Sequence, residues 1–149
     1  MELHFRSAAV EDLSTVLALG EEFYCEERIA VDPILVRTAL LQLLRDASLG
    51  RVWLLEVAGA AIGYLIMVNG FIVEFGGHQA FIDELYIRPD FRGHGLGRKT
   101  LAFAEETCRQ AGITIIRLEV DGANGRLIKL YEEFGFKLHD RCTMTRLLD

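Results

Sequence analysis

A chain of 149 residues, 51% hydrophobic and 26% charged, is long enough for one domain with a sizeable core and too apolar to be disordered. Its formal net charge of −6 makes nucleic acid a poor partner, because phosphate backbones select basic surfaces. No apolar run reaches the roughly 18 residues of a membrane span, so no membrane association is expected.

In chain order, the alternating "LHFRSA" (3–8) predicts a short first strand. Leu13, Val16, Leu17 and Phe23 fall at helical spacing, so a helix is predicted over 10–23, with Glu11 and Asp12 at the end where the dipole favours acids. Asp32 and Pro33 make an N-cap and first helical position for a second helix reaching residue 44. The stretch 51–68 reads as two strands joined across Ala58-Gly59, a hairpin, and "EFGGHQ" (74–79) as a turn before a further strand at 80–87. Leu96, Thr100, Leu101, Ala104, Cys108 and Ala111 share one face of a helix over 96–111. A strand at 114–120, a shorter helix at 125–134 and a closing strand or hairpin at 137–148 complete the chain.

The order β-α-α-β-β-β-α-β-α-β has one helix between strands 80–87 and 114–120. Those two strands should therefore be parallel and joined by a right-handed crossover. The other connections are mostly hairpins, which gives an α/β fold with a mixed sheet and helices on both faces. There is no repeat or linker, so 1–149 is expected to be a single domain.

Cys25, Cys108 and Cys142 are odd in number and lack CxxC spacing, and "MELHFRSAAVEDL" lacks the apolar core of a signal peptide. Reduced thiols and a cytoplasmic location are the simple expectation. His4, His78, His94 and His139 are scattered, so no metal site is expected. Charge is uneven: residues 1–79 carry 5 Lys/Arg against 11 Asp/Glu, and residues 80–149 carry 11 against 11. That split suggests an anion held by the second half and a cation near the first, although solvated helix faces would give the same totals.

Gly93, Gly95 and Gly97 stand between cationic residues at the mouth of the helix over 96–111. Glycines let successive N–H groups converge on one anion, and a helix start adds about half a positive charge. Arg92, Arg98 and Lys99 offer full charges to a ligand with several phosphates. A dinucleotide fingerprint is excluded because Arg98 follows Gly97 where the spacing requires otherwise. A P-loop is excluded because Arg98 separates Gly97 from Lys99-Thr100.

The remaining pattern, Arg-x-x-Gly-x-Gly over Arg92-Gly93-His94-Gly95-Leu96-Gly97, resembles the GCN5-related N-acetyltransferase family. The likeness extends to "DELYIRPDFRGHGLG", to "LEVDGANGRLIKLYEEFGF" and to the element order. It is strongest over 80–136 and departs from the common pattern at Leu127, where a small residue is usual. The resemblance implies a centrally splayed sheet and acetyl-CoA as co-substrate, with its pyrophosphate on residues 92–98, Arg98 included. It implies that pantetheine adds to the Leu85-Tyr86-Ile87 edge, through the main chain of Leu85 and Ile87, and meets Asn124. Asn124 as a simple helix cap would look the same in sequence.

Tyr131 is the implied general acid for the leaving thiolate, against the alternative of a core aromatic. Asp83, Glu84 and Glu119 are candidate bases for the amine. Alternation sends Asp83 and Glu84 to opposite faces, so at most one of these two should line the acceptor cleft. Glu22 and Glu26 would share a face of the first helix, a mildly unfavourable arrangement that a cationic substrate would relieve. The expected function is acetyl transfer to a primary amine, a cationic small molecule, with room for a homodimer. A non-catalytic acyl-CoA-binding module and a protein N-acetyltransferase are the alternatives.

Overall fold

The computed structural model describes residues 1–149 and divides them into two compact units, Met1–Leu118 and Glu119–Asp149. The first unit is built on a five-stranded sheet in the spatial order β1-β2-β3-β4-β5. Its strands are β1 His4–Ser7, β2 Gly50–Val57, β3 Ala60–Ile72, β4 Gly77–Ile87 and β5 Ile116–Leu118. The first four are antiparallel, and β4 runs parallel to β5 as the crossover requires. Ala58 and Gly59 close the β2–β3 hairpin with positive φ at both positions, the conformation that matches the twist of two-residue hairpins.

Helix α1 (Leu13–Glu26) begins later than the periodicity suggests, because Val10–Asp12 form a 3-10 turn. The Asp12 carboxylate accepts the Ala9 N–H at 2.8 Å and both terminal nitrogens of Arg6 at 3.0 Å, which fixes that turn. Helix α2 (Pro33–Arg45) starts as its sequence dictates, with Asp32 Oδ1 accepting the Ile34 N–H at 2.9 Å and Pro33 in the first turn. Leu13, Val16, Leu19 and Leu40 of these helices pack on Val52, Leu54, Tyr64, Ile66 and Tyr86 of the sheet. Helix α3 (Leu96–Gln110) covers the other face, where Phe103 stacks on Phe5 at 4.0 Å and meets Trp53 edge-on. Leu96, Leu101, Ala104 and Cys108 are buried along its apolar side, and Thr100 satisfies its buried hydroxyl on the Leu96 carbonyl.

The second unit contains helix α4 (Gly125–Glu133). Asn124 caps its start by accepting the Leu127 N–H, and Gly135 ends it with φ 92°. The Gly135 and Phe136 N–H groups return to the carbonyls of Glu132 and Tyr131, a Schellman ending. The expected strand or hairpin at 137–148 is absent: residues 137–149 form no helix or strand. Leu138, Met144, Leu147 and Leu148 are 64–95% exposed, so the segment buries no apolar face, and without a ladder partner alternation alone makes no strand. No helix is long and apolar enough to cross a membrane.

Because Leu101 is 2% exposed and anchors the helix that presents the glycine loop, Leu101→Ala should lower stability by roughly 2–5 kcal/mol. Urea denaturation measures this, and an unchanged midpoint would mean that α3 contributes little to the core.

Candidate active site

The glycine loop lies between β4 and α3. Pro89–Phe91 form one 3-10 turn, after which Gly93 (φ 80°) and Gly95 (φ 74°) take left-handed conformations that aim the chain into the helix. The Lys99 N–H is the first to find a helical carbonyl, that of Gly95. The N–H groups of the preceding turn have no partner within the helix, and a helix start is where anions are held. A Cβ added at Gly93, Gly95 or Gly97 would meet nothing within 4 Å. Gly97 is the informative one, because it sits inside α3 with no positive φ. Nothing in the fold requires a glycine there, whereas an anion lying against the backbone would.

Strand β4 leaves its neighbour just before this loop. It pairs with β5 only through Ala80, Phe81 and Ile82, then continues to Ile87 with β3 alone beside it. The Arg88 N–H bonds to the Ile62 carbonyl on the β3 side, so alternation turns the main-chain groups of Leu85 and Ile87 toward the gap. The Ile87 carbonyl already accepts Arg92 Nε at 2.8 Å. The β5 strand is shorter than the expected 114–120 because of this divergence.

On the other side β4 carries a bulge. Ile66 of β3 pairs with Glu84 and Met67 with Ile82, which leaves Asp83 as the extra residue. Strict alternation fails at this point. Asp83 and Glu84 therefore both line one cleft, contrary to the expectation that at most one would. The cleft has a volume of about 450 Å³ and lies among α1, α2, β3 and β4.

Within it the Glu84 carboxylate accepts the Tyr24 hydroxyl at 2.5 Å and the Tyr64 hydroxyl at 2.6 Å. Burial pushes the Glu84 carboxyl above the usual range; the two phenol donors oppose that shift and the neighbouring Asp83 adds to it. Burial, together with the adjacent carboxylate, likewise raises both phenols. Neither tyrosine stood out in the sequence. The signal for Tyr64 is its place in the alternation with Ile66 and Val68, which puts it on the face of Glu84.

Glu22 and Glu26 share a face of α1 as expected, but the cations between them are the protein's own. Arg88 grips Glu22 through Nη2 at 2.8 Å and Nε at 3.0 Å, and the Tyr86 hydroxyl donates to the same carboxylate at 3.1 Å. Arg92 forks onto Glu26 at 2.5 and 2.6 Å, with its guanidinium 5.7 Å from the Tyr86 ring centre. These hydrogen bonds hold both carboxyls below the usual range. Neither glutamate lines the cleft, so the negative charge expected there comes from Asp83 and Glu84 instead. The Arg92 side chain is likewise committed to Glu26 and not directed solely to a ligand.

In the second unit Tyr131 packs edge-on to Phe136 at 5.7 Å, the contact that commonly accompanies a Schellman ending, and burial raises its phenol. The Asn124 carbonyl oxygen is engaged in the helix cap. Glu119 is exposed and accepts from Thr143. His94 Nδ1 lies 3.2 Å from the Phe91 carbonyl. No cluster of three or more His, Cys, Asp or Glu side chains is arranged to hold a metal.

A mixed sheet that splays open beside a glycine-lined helix start defines an α/β protein with an unpaired strand edge next to bare helix-start backbone. The sequence pattern of the acetyltransferase (GNAT) family matches residues 16–136, and the chain belongs to that family. A 65-residue stretch is 41% identical to mycothiol acetyltransferase of Propionibacterium freudenreichii subsp. shermanii, covering 44% of this chain and 21% of that protein. An integron cassette protein from the mobile metagenome of Cole Harbour Salt Marsh is 29% identical, with a TM-score of 0.83 over 97% of this chain and 90% of that one. A predicted acetyltransferase from Clostridium acetobutylicum, solved with acetyl-CoA, shares the fold at 17% identity, with a TM-score of 0.81 over 97% and 96% of the two chains. The matched segment thus spans about a fifth of the first of these curated relatives.

Glu84 gives a pH test. A carboxyl whose folded-state proton affinity is raised contributes stability that is full below the ordinary glutamate range and is lost as pH rises through the raised value. Between about pH 4 and about pH 8, wild-type stability in urea should therefore fall relative to Glu84→Gln. A constant difference would mean that Glu84 ionises as an ordinary glutamate.

Proposed function

We propose that the chain is an acetyl-CoA-dependent N-acetyltransferase acting on a small primary amine. The observation that carries this reading is Gly97, a helical glycine that the fold itself does not need. With Gly93 and Gly95 it leaves bare backbone where a pyrophosphate would rest, and Arg98 and Lys99 add charge. The Leu85 and Ile87 main chain along the gap would pair with the pantetheine amides as an added strand, and Asn124 would meet the same arm. The relative solved with acetyl-CoA supports that ligand.

The acceptor amine would arrive as a cation, drawn by Asp83 and Glu84 in the cleft. Glu84, its proton affinity raised by burial, would take the amine proton, directly or through Asp83. The neutral nitrogen then bonds to the thioester carbonyl carbon, a main-chain N–H of the β4 edge stabilises the charge that develops on oxygen, and the carbon–sulfur bond breaks. The Tyr131 hydroxyl would supply a proton to the departing thiolate, and the second proton that the nitrogen sheds as the amide forms would return through solvent to the phenolate.

Gly97→Val fills the pyrophosphate position without backbone strain, so it should abolish coenzyme A binding in calorimetry while the unfolding midpoint holds. Wild-type affinity would remove this loop from the site. Tyr131→Phe keeps the ring against Phe136, and turnover should fall roughly 10²–10⁴-fold with little change in acetyl-CoA affinity. An unchanged kcat would make Tyr131 a structural residue.

A further inference from the structure

Resting on the acetyl-transfer reading, we infer that the acceptor is a monoamine on an apolar body, an alkylamine or arylalkylamine, and not a polyamine or amino sugar. The acidic end of the cleft is confined to Asp83 and Glu84, consecutive residues at the β4 bulge. Away from them most of the wall is aliphatic: Val36, Leu40 and Leu43 from α2, Leu49 from the following loop, Ile66 and Val68 from β3, with the neutral amides of Gln42 and Asn69 the polar exceptions. No lysine or arginine lines it, so a substrate carboxylate would face two carboxylates without a counter-charge.

The other polar groups are few and partly used. The Tyr24 hydroxyl donates to Glu84, and the Asn69 side-chain nitrogen donates to the Ser48 carbonyl. A second ammonium, or a ring of hydroxyls, would lie against aliphatic side chains and lose its water with little in return. One ammonium held by the acidic pair and one hydrocarbon body on the aliphatic part of the α2 wall match this lining, and the exposed Gln42 amide carries no charge to hold a second ammonium. A cleft of about 450 Å³ is within the range that holds a small organic ligand.

The test is acetyl-CoA-dependent thiol release at one pH with primary n-alkylamines from ethylamine to octylamine, and with 1,6-diaminohexane as the doubly charged match to hexylamine. The specificity constant should rise about fourfold per methylene until the cleft is filled. Hexylamine should exceed the diamine by about tenfold or more. Ala39→Glu places a carboxylate in the α2 wall at an exposed helical position, so the chain should fold, and it should raise the diamine relative to hexylamine by about tenfold. A flat series, a preference for the diamine, or a ratio that Ala39→Glu leaves unmoved would overturn the proposal while acetyl transfer stands. Coenzyme A binding without thiol release to any amine would overturn the acetyl-transfer reading and the proposal together.

Discussion

Strand β4 cannot be an ordinary interior strand along its whole length, and the site follows from that constraint. Toward β5 it pairs through only three residues before the two strands part. Toward β3 it stays paired to Ile87 but admits one extra residue, Asp83. The first departure exposes a polar backbone edge; the second turns two adjacent carboxylates to one face. In the proposed reading one strand would meet a thioester along its edge and an amine on its face, the arrangement a direct transfer needs.

The end of β4 is held by charge. Arg88 and Arg92, on either side of the 3-10 turn at Pro89–Phe91, each grip a glutamate one turn apart on α1. Each pair is partly exposed and contributes within about 1 kcal/mol, so the function is one of position more than of stability. The like charges of Glu22 and Glu26 are compensated internally. The electrostatic character of the cleft is therefore set by the bulge, while the glutamates of α1 fix the approach to the glycine loop.

What the sequence revealed was local or periodic. The glycine loop, the apolar face of α3, the Asp32-Pro33 cap and the parallel crossover all depend on residues within a few turns of one another. The bulge does not: "AFIDELYI" reads as a plain strand, and only the consecutive Asp83-Glu84 in an otherwise apolar run hints at broken alternation. The pairing of Glu22 with Arg88 and Glu26 with Arg92 joins residues 66 apart, a distance no local pattern spans. Residues 137–148 fail in the opposite way, since they have the alternation of a strand but no ladder to join. The Tyr131 motif carries two messages at once, a helix ending with Phe136 and a candidate proton donor, and the sequence alone could not separate them.

The proposed site requires β4 to offer one edge to coenzyme A. Residue-resolved amide hydrogen exchange, with and without coenzyme A, reads that edge directly. New protection is expected at Leu85, Ile87 and the loop amides at the start of α3, with Glu84 and Tyr86, whose main-chain groups face β3, unchanged. Protection that bypassed Leu85 and Ile87, or spread evenly along β4, would contradict the proposed site.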